Sequence, residues 1–236
     1  MRKTLVLDLD NTLVASFSTS KAQLLGSCDY VVSIPREKYH DTITIAVFKR
    51  PHLEEFLDVA CSLFDVWIFT ASDKSYAQPV CENLLNSKER FKGCLFRDSL
   101  VKGGKDLSIF NVNMDQIMII DDDEFNFQNN PKNGVTINSF GFDTITIQKE
   151  LRLDHELRDF IPLLKSVADS PTVFEPILQY KQFHSSNFQN CDISPLTSSS
   201  SNTPAVTSFH AFSPFDDMND EKSPNSATSA SSDILI

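Results

Sequence analysis

The sequence lacks the features typical of membrane-spanning, secreted and disulfide-stabilised proteins. Its longest apolar runs, such as Ile117–Ile120, are far shorter than a membrane span. Acidic residues begin at Asp8, which is not typical of a secretory signal. The five cysteines are an odd number without C-x-x-C spacing, so neither a disulfide framework nor a zinc site is indicated. We expect an intracellular protein with reduced cysteines and no membrane partner.

Positive charge is also scarce. The 236 residues include 21 Lys+Arg against 32 Asp+Glu, which gives a net charge of −11. This balance disfavours non-specific binding of nucleic acids, because their phosphates would repel the protein at long range. We therefore expect no direct nucleic-acid partner. The length predicts one domain, or one domain and a tail, large enough to bury a hydrophobic core.

The composition changes near residue 180. Residues 181–236 contain 14 Ser in 56 positions and show no apolar periodicity. Such a segment buries too little apolar surface to offset its ordering entropy, so a disordered Ser/Thr/Pro-rich tail is predicted. We divide the chain into a domain at 1–180 and a tail at 181–236. The Ser/Thr-Pro pairs of the tail are candidate kinase sites, or a simple product of its composition.

Residues 1–180 alternate strand-like and helix-like segments. Short runs of apolar and β-branched residues predict strands at Thr4–Asp8, Tyr30–Ile34, Thr42–Phe48, Phe64–Phe69, Gln116–Ile120 and Val135–Ile137. Apolar residues at helical spacing predict helices at Pro51–Cys61, Asp73–Leu85 and Leu153–Ala168. The second and third strands are separated by a polar turn, which indicates a hairpin. The remaining alternation predicts an α/β fold with a parallel sheet flanked by helices.

Polar side chains follow several of the predicted strands. They are Asp8 and Asp10 after the first strand, Thr70 and Ser72 after Phe69, and Asp121 to Asp123 after Ile120. A basic stretch, Lys102 to Lys105, lies between the last two groups. Because the ligand site of an open α/β sheet lies at the carboxyl ends of its strands, we expect these side chains to converge.

Each of these features also has an ordinary explanation. The D-x-D-x-[TV] pattern at Asp8 can arise by chance, and three consecutive Asp residues can form a solvated loop. Thr70 or Ser72 can cap a helix, and Lys105 can be a surface lysine. Their order along the chain, each at a strand end, favours a common site.

This set of residues suits phosphoryl transfer. Mg²⁺ prefers oxygen ligands, and the candidate ligands are Asp8, Asp10, Asp121 and Asp122. Asp8 is the candidate nucleophile that forms an aspartyl-phosphate. Asp10 is the candidate general acid, which protonates the leaving oxygen and then deprotonates the hydrolytic water. A hydroxyl from Thr70 and the charge of Lys105 would neutralise and position the phosphate.

The stretch Asp8-Leu-Asp-Asn-Thr12 resembles the first motif of the haloacid dehalogenase (HAD) superfamily. Further stretches are similar to the small C-terminal-domain (CTD) phosphatases of RNA polymerase II, of the NLI-interacting-factor type; they are Lys49–His52, Phe69–Ser72, Tyr76–Val80, Leu95–Ser99 and Lys105–Ser108. The resemblance covers about residues 3–175. It implies a Mg²⁺-dependent phosphoserine or phosphothreonine phosphatase with a Rossmann-like core. The implied cap is a small β insertion, a hairpin or three-stranded sheet, at Tyr30–Phe48.

The resemblance also assigns residues to the substrate. It implies that Thr70, Ala71 and Lys105 bind phosphate. It implies that Arg97 contacts a second substrate group, with a surface ion pair as the alternative. Tyr76 would line a pocket for a substrate proline, with core packing as the alternative.

Two departures from the family pattern affect the site. Asp122 stands where the family usually has Asn, and a carboxylate there can still bind Mg²⁺. The segment before Lys105 is shorter than usual, which leaves Lys102 as a rival for the phosphate-binding lysine. The Asp-Leu-Ser sequence after Lys105 favours that residue.

The first functional hypothesis is therefore an active phosphatase for a Ser/Thr-Pro-rich phosphoprotein such as the polymerase CTD repeat. A non-catalytic phosphoprotein-binding or scaffold module on the same fold is the alternative. A small-molecule phosphatase is disfavoured by the small insertion. We expect a monomer, in the nucleus if the substrate is the usual one of the family and otherwise in the cytoplasm.

Overall fold

The computed structural model describes residues 2–36, 40–84, 90–141 and 154–189. The strands are β1 Thr4–Leu7, β2 Val14–Ser18, β3 Tyr30–Arg36, β4 Asp41–Lys49, β5 Asp65–Phe69, β6 Gly93–Leu95, β7 Ile117–Asp121 and β8 Gly134–Thr136. The helices are α1 Thr19–Leu25, α2 Leu53–Leu63, α3 Lys74–Leu84, α4 Glu156–Asp159, α5 Ile161–Asp169 and α6 Phe174–Gln189. Short 3₁₀ helices lie at Arg97–Ser99, Leu107–Phe110, Met114–Gln116 and Glu124–Phe127.

Five parallel strands form the central sheet in the order β6-β5-β1-β7-β8. The strand β1 lies in the middle and is fully apolar apart from Thr4, and its residues Leu5–Leu7 are completely buried. Such burial on both faces is typical of a parallel sheet covered by helices, so the predicted architecture is confirmed. The edge strand β6 was not predicted, because three residues show no usable periodicity.

A second sheet, of three antiparallel strands in the order β2-β4-β3, is inserted between β1 and α2. The predicted hairpin corresponds to β3 and β4, with Tyr30 opposite Val47. The insertion begins at Val14, earlier than the predicted Tyr30, because it also contains β2 and the helix α1. Its apolar residues form a separate small core with Phe140, which follows β8; the residues of the insertion in this core are Ala15, Phe17, Ala22, Leu25, Ala46 and Phe48.

Two predicted helices have different limits in the structure. The helix α2 begins at Leu53 and not at Pro51, because His52 adopts a left-handed conformation with φ of 63°. The predicted closing helix is divided into α4 and α5, and Pro162 lies in the first turn of α5. Proline lacks the amide hydrogen that a continuous helix would need there. The predicted start at Leu153 lies outside the described residues.

The helix α6 runs past the expected domain boundary at residue 180. Its side chain Ile177 and the preceding Val173 are buried in the main core, and the rings of Phe160 and Tyr180 pack at 5.3 Å. The helix therefore continues past residue 180, to Gln189, and the division into a domain at 1–180 and a tail at 181–236 stays a prediction. Residues 190–236 lie outside the described part of the chain, and the predicted disorder there stays a prediction. Among the described helices, none has the length and apolar character needed to cross a membrane.

A buried arginine, which the sequence analysis did not single out, joins the base of the insertion to the main domain. The side chain of Arg50 is 2% exposed and pairs with Asp154 at 3.0 Å. It also donates to the carbonyl oxygens of Thr12 and Asn138. These contacts fix the turn after β1, and therefore the position of the residues that precede it.

Candidate active site

The order of the central sheet places three strand ends side by side. The chain passes from β1 to β5 and β6 on one side and to β7 and β8 on the other. The carboxyl end of β1 is thus the point where the strand order reverses, which is where open α/β sheets bind their ligands. Asp8 follows β1, Thr70 follows β5, and Asp121 ends β7, so the predicted convergence is present in the structure.

Asp8, Lys105 and Asp121 form a buried charged cluster. The ammonium nitrogen of Lys105 lies 2.5 Å from Oδ1 of Asp8 and 2.6 Å from Oδ2 of Asp121. Lys105 is fully buried, whereas its predicted rival Lys102 is exposed and adopts a left-handed turn conformation. Burial acts to lower the pKa of Lys105, but attraction to Asp121 and Asp8 outweighs it and raises the pKa. The ammonium therefore stays charged.

Asn126 supports this cluster, and the sequence analysis missed it. Its amide nitrogen donates to Oδ1 of Asp121 at 2.9 Å, and its carbonyl oxygen accepts from the backbone N–H of Lys105. The N–H of Asp123 donates to the same Oδ1. One residue thus positions both partners of the ion pair, Asp121 through its side-chain amide and Lys105 through its main-chain carbonyl oxygen. Only its spacing of five residues after Asp121 could have pointed to it, and no motif marks that spacing.

The carboxylates also form a candidate site for a hard cation. Oxygen atoms of Asp8, Asp121 and Asp122 lie within 4.8 Å of one another. With Lys105 between them, the four ionised groups leave a formal charge of −2. Burial raises the pKa of Asp122 to about 6, against a hydrogen bond from Ser139. An all-oxygen set with surplus negative charge fits Mg²⁺.

Asp10 has different surroundings, although it is only two residues from Asp8. Three hydroxyl groups donate to its carboxylate: Tyr76 to Oδ1, and Ser72 at 2.7 Å and Thr70 at 3.3 Å to Oδ2. Burial raises the pKa of Asp10, and these hydrogen bonds act in the opposite direction. Its side chain is outside the group formed by Asp8, Asp121 and Asp122, so its role as a metal ligand stays a prediction.

Tyr76 was predicted to line a pocket for a substrate proline, with core packing as the alternative. The side chain is completely buried, and its hydroxyl contacts Asp10. The structure therefore links Tyr76 to the candidate general acid. Ser72 had been identified as a hydroxyl at the strand end, but its bond to Asp10 was not predicted. The helix α3 and the turn before it together hold the Asp10 carboxylate.

Arg97 lies at the rim of the site. Its Nε donates to the carbonyl oxygen of Ala71 at 2.8 Å, and its Nη1 pairs with Asp73 at 3.0 Å. The side chain is 47% exposed. The ion pair that was considered as the alternative is thus present, and it fixes the loop at Ala71 and Ser72. Contact of Arg97 with a substrate stays a prediction.

Residues 3–174 match the model of the NLI interacting factor-like phosphatase family. The chain belongs to this family. Among its relatives, Phosphatase Herzog of Drosophila melanogaster is 34% identical over 185 residues, which cover 77% of this chain and 48% of the relative. The human CTD small phosphatase-like protein is 34% identical over 178 residues, covering 73% and 59% respectively.

The fold agrees with that of a solved CTD phosphatase. The fission yeast RNA polymerase II CTD phosphatase Fcp1, in its R271A form bound to beryllium fluoride, superimposes with a TM-score of 0.58 at 18% identity. The match covers 80% of this chain and 67% of the yeast chain. The predicted HAD-like fold with a small antiparallel insertion is confirmed. The chain spans about half the length of the curated relatives named above.

Proposed function

We propose that this protein is a Mg²⁺-dependent protein serine/threonine phosphatase that uses Asp8 as its nucleophile. The observation that supports this most strongly is the pair of carboxylates after β1. Asp8 contacts the buried ammonium of Lys105, whereas Asp10 accepts hydrogen bonds from three neutral hydroxyl groups. Membership of the family supports the same reaction.

The proposed reaction has two steps. In the first, an oxygen of Asp8 attacks the phosphorus of the phosphomonoester, and the bond to the serine or threonine oxygen breaks. Asp10, protonated, gives its proton to that oxygen, which leaves as the alcohol. In the second step Asp10 takes a proton from water, whose oxygen attacks the phosphorus. Inorganic phosphate leaves, and Asp8 is restored as a carboxylate.

The other residues would bind and neutralise the phosphoryl group. Lys105 would contribute its charge, and the backbone at Ala71 would donate a hydrogen bond to a phosphate oxygen. The Thr70 hydroxyl would turn from Asp10 to the phosphate and donate a second one. Asp8, Asp121 and Asp122 would hold Mg²⁺, with Asp10 as a further candidate ligand. The ion supplies positive charge that offsets repulsion between the carboxylates and the incoming phosphate.

We infer that the substrate is a phosphoprotein segment rich in Ser/Thr-Pro, with the RNA polymerase II CTD as the first candidate. The names of several relatives refer to this domain, and a three-stranded insertion is small enough to leave a peptide access to the site. Nuclear location is inferred from the same substrate, and a relative named Nuclear envelope morphology protein 1 supports it. We expect a monomer that acts without direct contact to nucleic acid or membrane.

A non-catalytic binding module on the same fold is the second candidate. It would need the recognition residues but not the nucleophile or the general acid. Both carboxylates are present and well placed, which favours catalysis. The discriminating quantity is turnover, because a binding module would hold a phosphopeptide without releasing phosphate.

The test is covalent trapping of the intermediate. The protein is mixed with an aryl phosphate or a CTD phosphopeptide and Mg²⁺, quenched in acid and reduced with borohydride, and the peptide with Asp8 is analysed by mass spectrometry. We expect modification at Asp8, loss of turnover on chelation, and recovery with Mg²⁺. The variant Asp98→Asn, which changes an exposed acid, is the matched control and should still be modified at Asp8. Turnover without modification at Asp8 would contradict the assigned nucleophile, and binding without turnover would support the second candidate.

A further inference from the structure

Two histidines outside the proposed active site face each other. His52 immediately precedes α2, and His155 immediately precedes α4. Nε2 of His52 lies 3.0 Å from Nδ1 of His155, and the centroids of the two rings are 5.2 Å apart at an interplanar angle of 38°. The side chain of His52 is partly exposed and His155 is exposed, so solvent and ions reach the pair. The proposed phosphatase reaction uses neither residue.

A carboxylate determines which nitrogen of His52 carries the lone pair. Oε2 of Glu55, in the first turn of α2, lies 3.6 Å from Nδ1 of His52. This carboxylate attracts a proton to Nδ1, which leaves the lone pair on Nε2, the nitrogen that faces His155. Histidines that bind metals usually direct their other ring nitrogen at a carboxylate in this way, because the carboxylate fixes the tautomer and raises the basicity of the ligand nitrogen.

The spacing of the two rings suits two ligands of one ion. Imidazole nitrogens lie about 2.0–2.1 Å from zinc, so two of them on a tetrahedral ion are about 3.3–3.4 Å apart, with ring centroids separated by about 5.2 Å. The rings of His52 and His155 already have that separation. A tilt of each ring would therefore widen the gap between the two nitrogens enough for the ion, without the rings moving apart.

We propose that His52 and His155 bind a transition-metal dication, with Zn²⁺ as the first candidate. Nε2 of His52 and Nδ1 of His155 are the ligands, and the proton on Nδ1 of His155 moves to Nε2 of the same ring when the ion binds. Imidazole nitrogen suits zinc, copper and nickel, whereas Mg²⁺ prefers oxygen ligands. Among the described residues, no third His, Cys, Asp or Glu forms a group with the pair, so water completes the coordination.

The ion would join two segments that a buried ion pair already connects. Arg50, two residues before His52, pairs at 3.0 Å with Asp154, which immediately precedes His155. Arg50 also donates to the carbonyl oxygen of Thr12 in the turn after β1. An ion that binds only the folded state stabilises that state by mass action. Zinc should therefore stabilise the domain at the connection that holds this turn.

The first experiment measures zinc binding to the full chain by calorimetry, in excess Mg²⁺ that competes for the carboxylate cluster. We expect the affinity for zinc to fall in His52→Asn and in His155→Gln. Asparagine is chosen at position 52 because it tolerates the left-handed backbone conformation found there. His40→Asn, at an exposed position with the same conformation, and His184→Gln, at an exposed position on α6, are the matched controls and should bind zinc as before. Unchanged affinity in both His52→Asn and His155→Gln would overturn the proposal.

The variant Glu55→Gln tests the carboxylate behind His52. Removal of such a partner typically weakens metal binding about 10–100-fold, and we expect a loss in that range. Glu54→Gln is the matched control and should keep the affinity, because the Glu54 carboxylate pairs with Lys49 and Arg90 and not with a histidine. Equal losses in the two variants would overturn the role assigned to Glu55.

Chemical modification locates the ion without a measurement of activity. Diethyl pyrocarbonate reacts with the ring nitrogens of histidine, and mass spectrometry of the digested full chain reports each residue separately. Zinc should protect His52 and His155 and leave His40 and His184 reactive. Zinc should also raise the thermal midpoint of the wild-type protein by more than that of His155→Gln. Protection of only one of the two facing histidines, or of neither, would overturn the proposal.

Discussion

The two sides of the proposed active site are built from different chemistry around carboxylates only two residues apart. On one side, Asp8 shares the charged Lys105 with Asp121. On the other side, Asp10 is held by neutral hydroxyl groups from Tyr76 and the turn after β5. Pairs of acids in contrasting environments commonly take different roles in catalysis. Burial raises the pKa of both carboxyls, and the leading opposing effect is the Lys105 ammonium at Asp8 but the hydroxyl hydrogen bonds at Asp10. We propose that the first serves as the nucleophile and the second as the general acid.

The largest expected effects come from exchanging each carboxylate for its amide. Asp8→Asn should remove turnover almost completely, by about 10⁴-fold or more, because no nucleophile remains. Asp10→Asn should cost about 10²–10⁴-fold in kcat, the usual contribution of acid–base catalysis. Turnover of an aryl phosphate and circular dichroism of both variants provide the measurement. Equal losses with no detectable Asp8 modification in Asp10→Asn would contradict the division of roles.

Removal of the buried ammonium should affect both stability and activity. Lys105→Met leaves Asp8 and Asp121 buried without their cation, and breaking such a pair typically costs about 3–5 kcal/mol. We expect a lower urea midpoint at low Mg²⁺, partly recovered as Mg²⁺ is added. Lys102→Met is the matched control and should stay within about 0.5 kcal/mol, since its side chain is exposed. Similar losses of stability in both variants would show that Lys105 stabilises the protein no more than an exposed lysine does.

The hydroxyl groups that donate to Asp10 predict a shift in the pH dependence of kcat/KM when one of them is removed. Tyr76 stabilises the ionised form of Asp10, so Tyr76→Phe should raise the pKa of Asp10 further. If Asp10 acts as the acid, the descending limb of kcat/KM should move to higher pH. Tyr76→Phe should lower the free energy of unfolding by about 1 kcal/mol, which is the usual contribution of one hydrogen bond. Tyr30→Phe, which removes a hydroxyl contact to the backbone of Val80 on the same helix, should leave the limb in place. A shift in both variants would indicate a general loosening of α3.

The smallest effect on activity is expected from truncation after Gln189. A chain that stops after Gln189 keeps α6 complete and should hydrolyse an aryl phosphate within about twofold of the full chain. A chain that stops after Thr172 also loses Val173 and Ile177, both buried, at about 1.5–3 kcal/mol for each side chain. Thermal unfolding of the two truncated proteins measures the difference. Equal stability would show that α6 adds little to the domain.

The sequence predicts the parallel sheet well because its central strands are short, apolar and followed directly by polar residues. The strand β1 illustrates this, since its last apolar residue, Leu7, is followed directly by the candidate nucleophile Asp8. Periodicity fails where an element is very short, as in β6, or where proline divides one apolar pattern into two helices, as at Pro162. The expected boundary at residue 180 falls inside α6, because a change in composition does not mark the end of a helix.

The candidate site was predictable as a set of residues but not as a network. Chain order and strand ends indicated that Asp8, Thr70, Lys105 and Asp121 would meet. The buried partners of these groups, Asn126 beneath Asp121 and Tyr76 beneath Asp10, depend on how a loop and a helix pack. Such contacts join residues that no local pattern connects, so they became visible only in three dimensions.

The position of Lys105 separates folding from the acquisition of an ion. Many small metalloproteins cannot assemble before their metal arrives, because their ligands repel one another in its absence. Here an internal ammonium bridges Asp8 and Asp121 at 2.5 and 2.6 Å, so part of that repulsion is relieved by the polypeptide itself. If the protein binds Mg²⁺ as proposed, we expect the chain to fold at low Mg²⁺ and to bind the ion afterwards. A change in Mg²⁺ concentration would then change the fraction of the protein that is active and leave the folded fraction nearly the same.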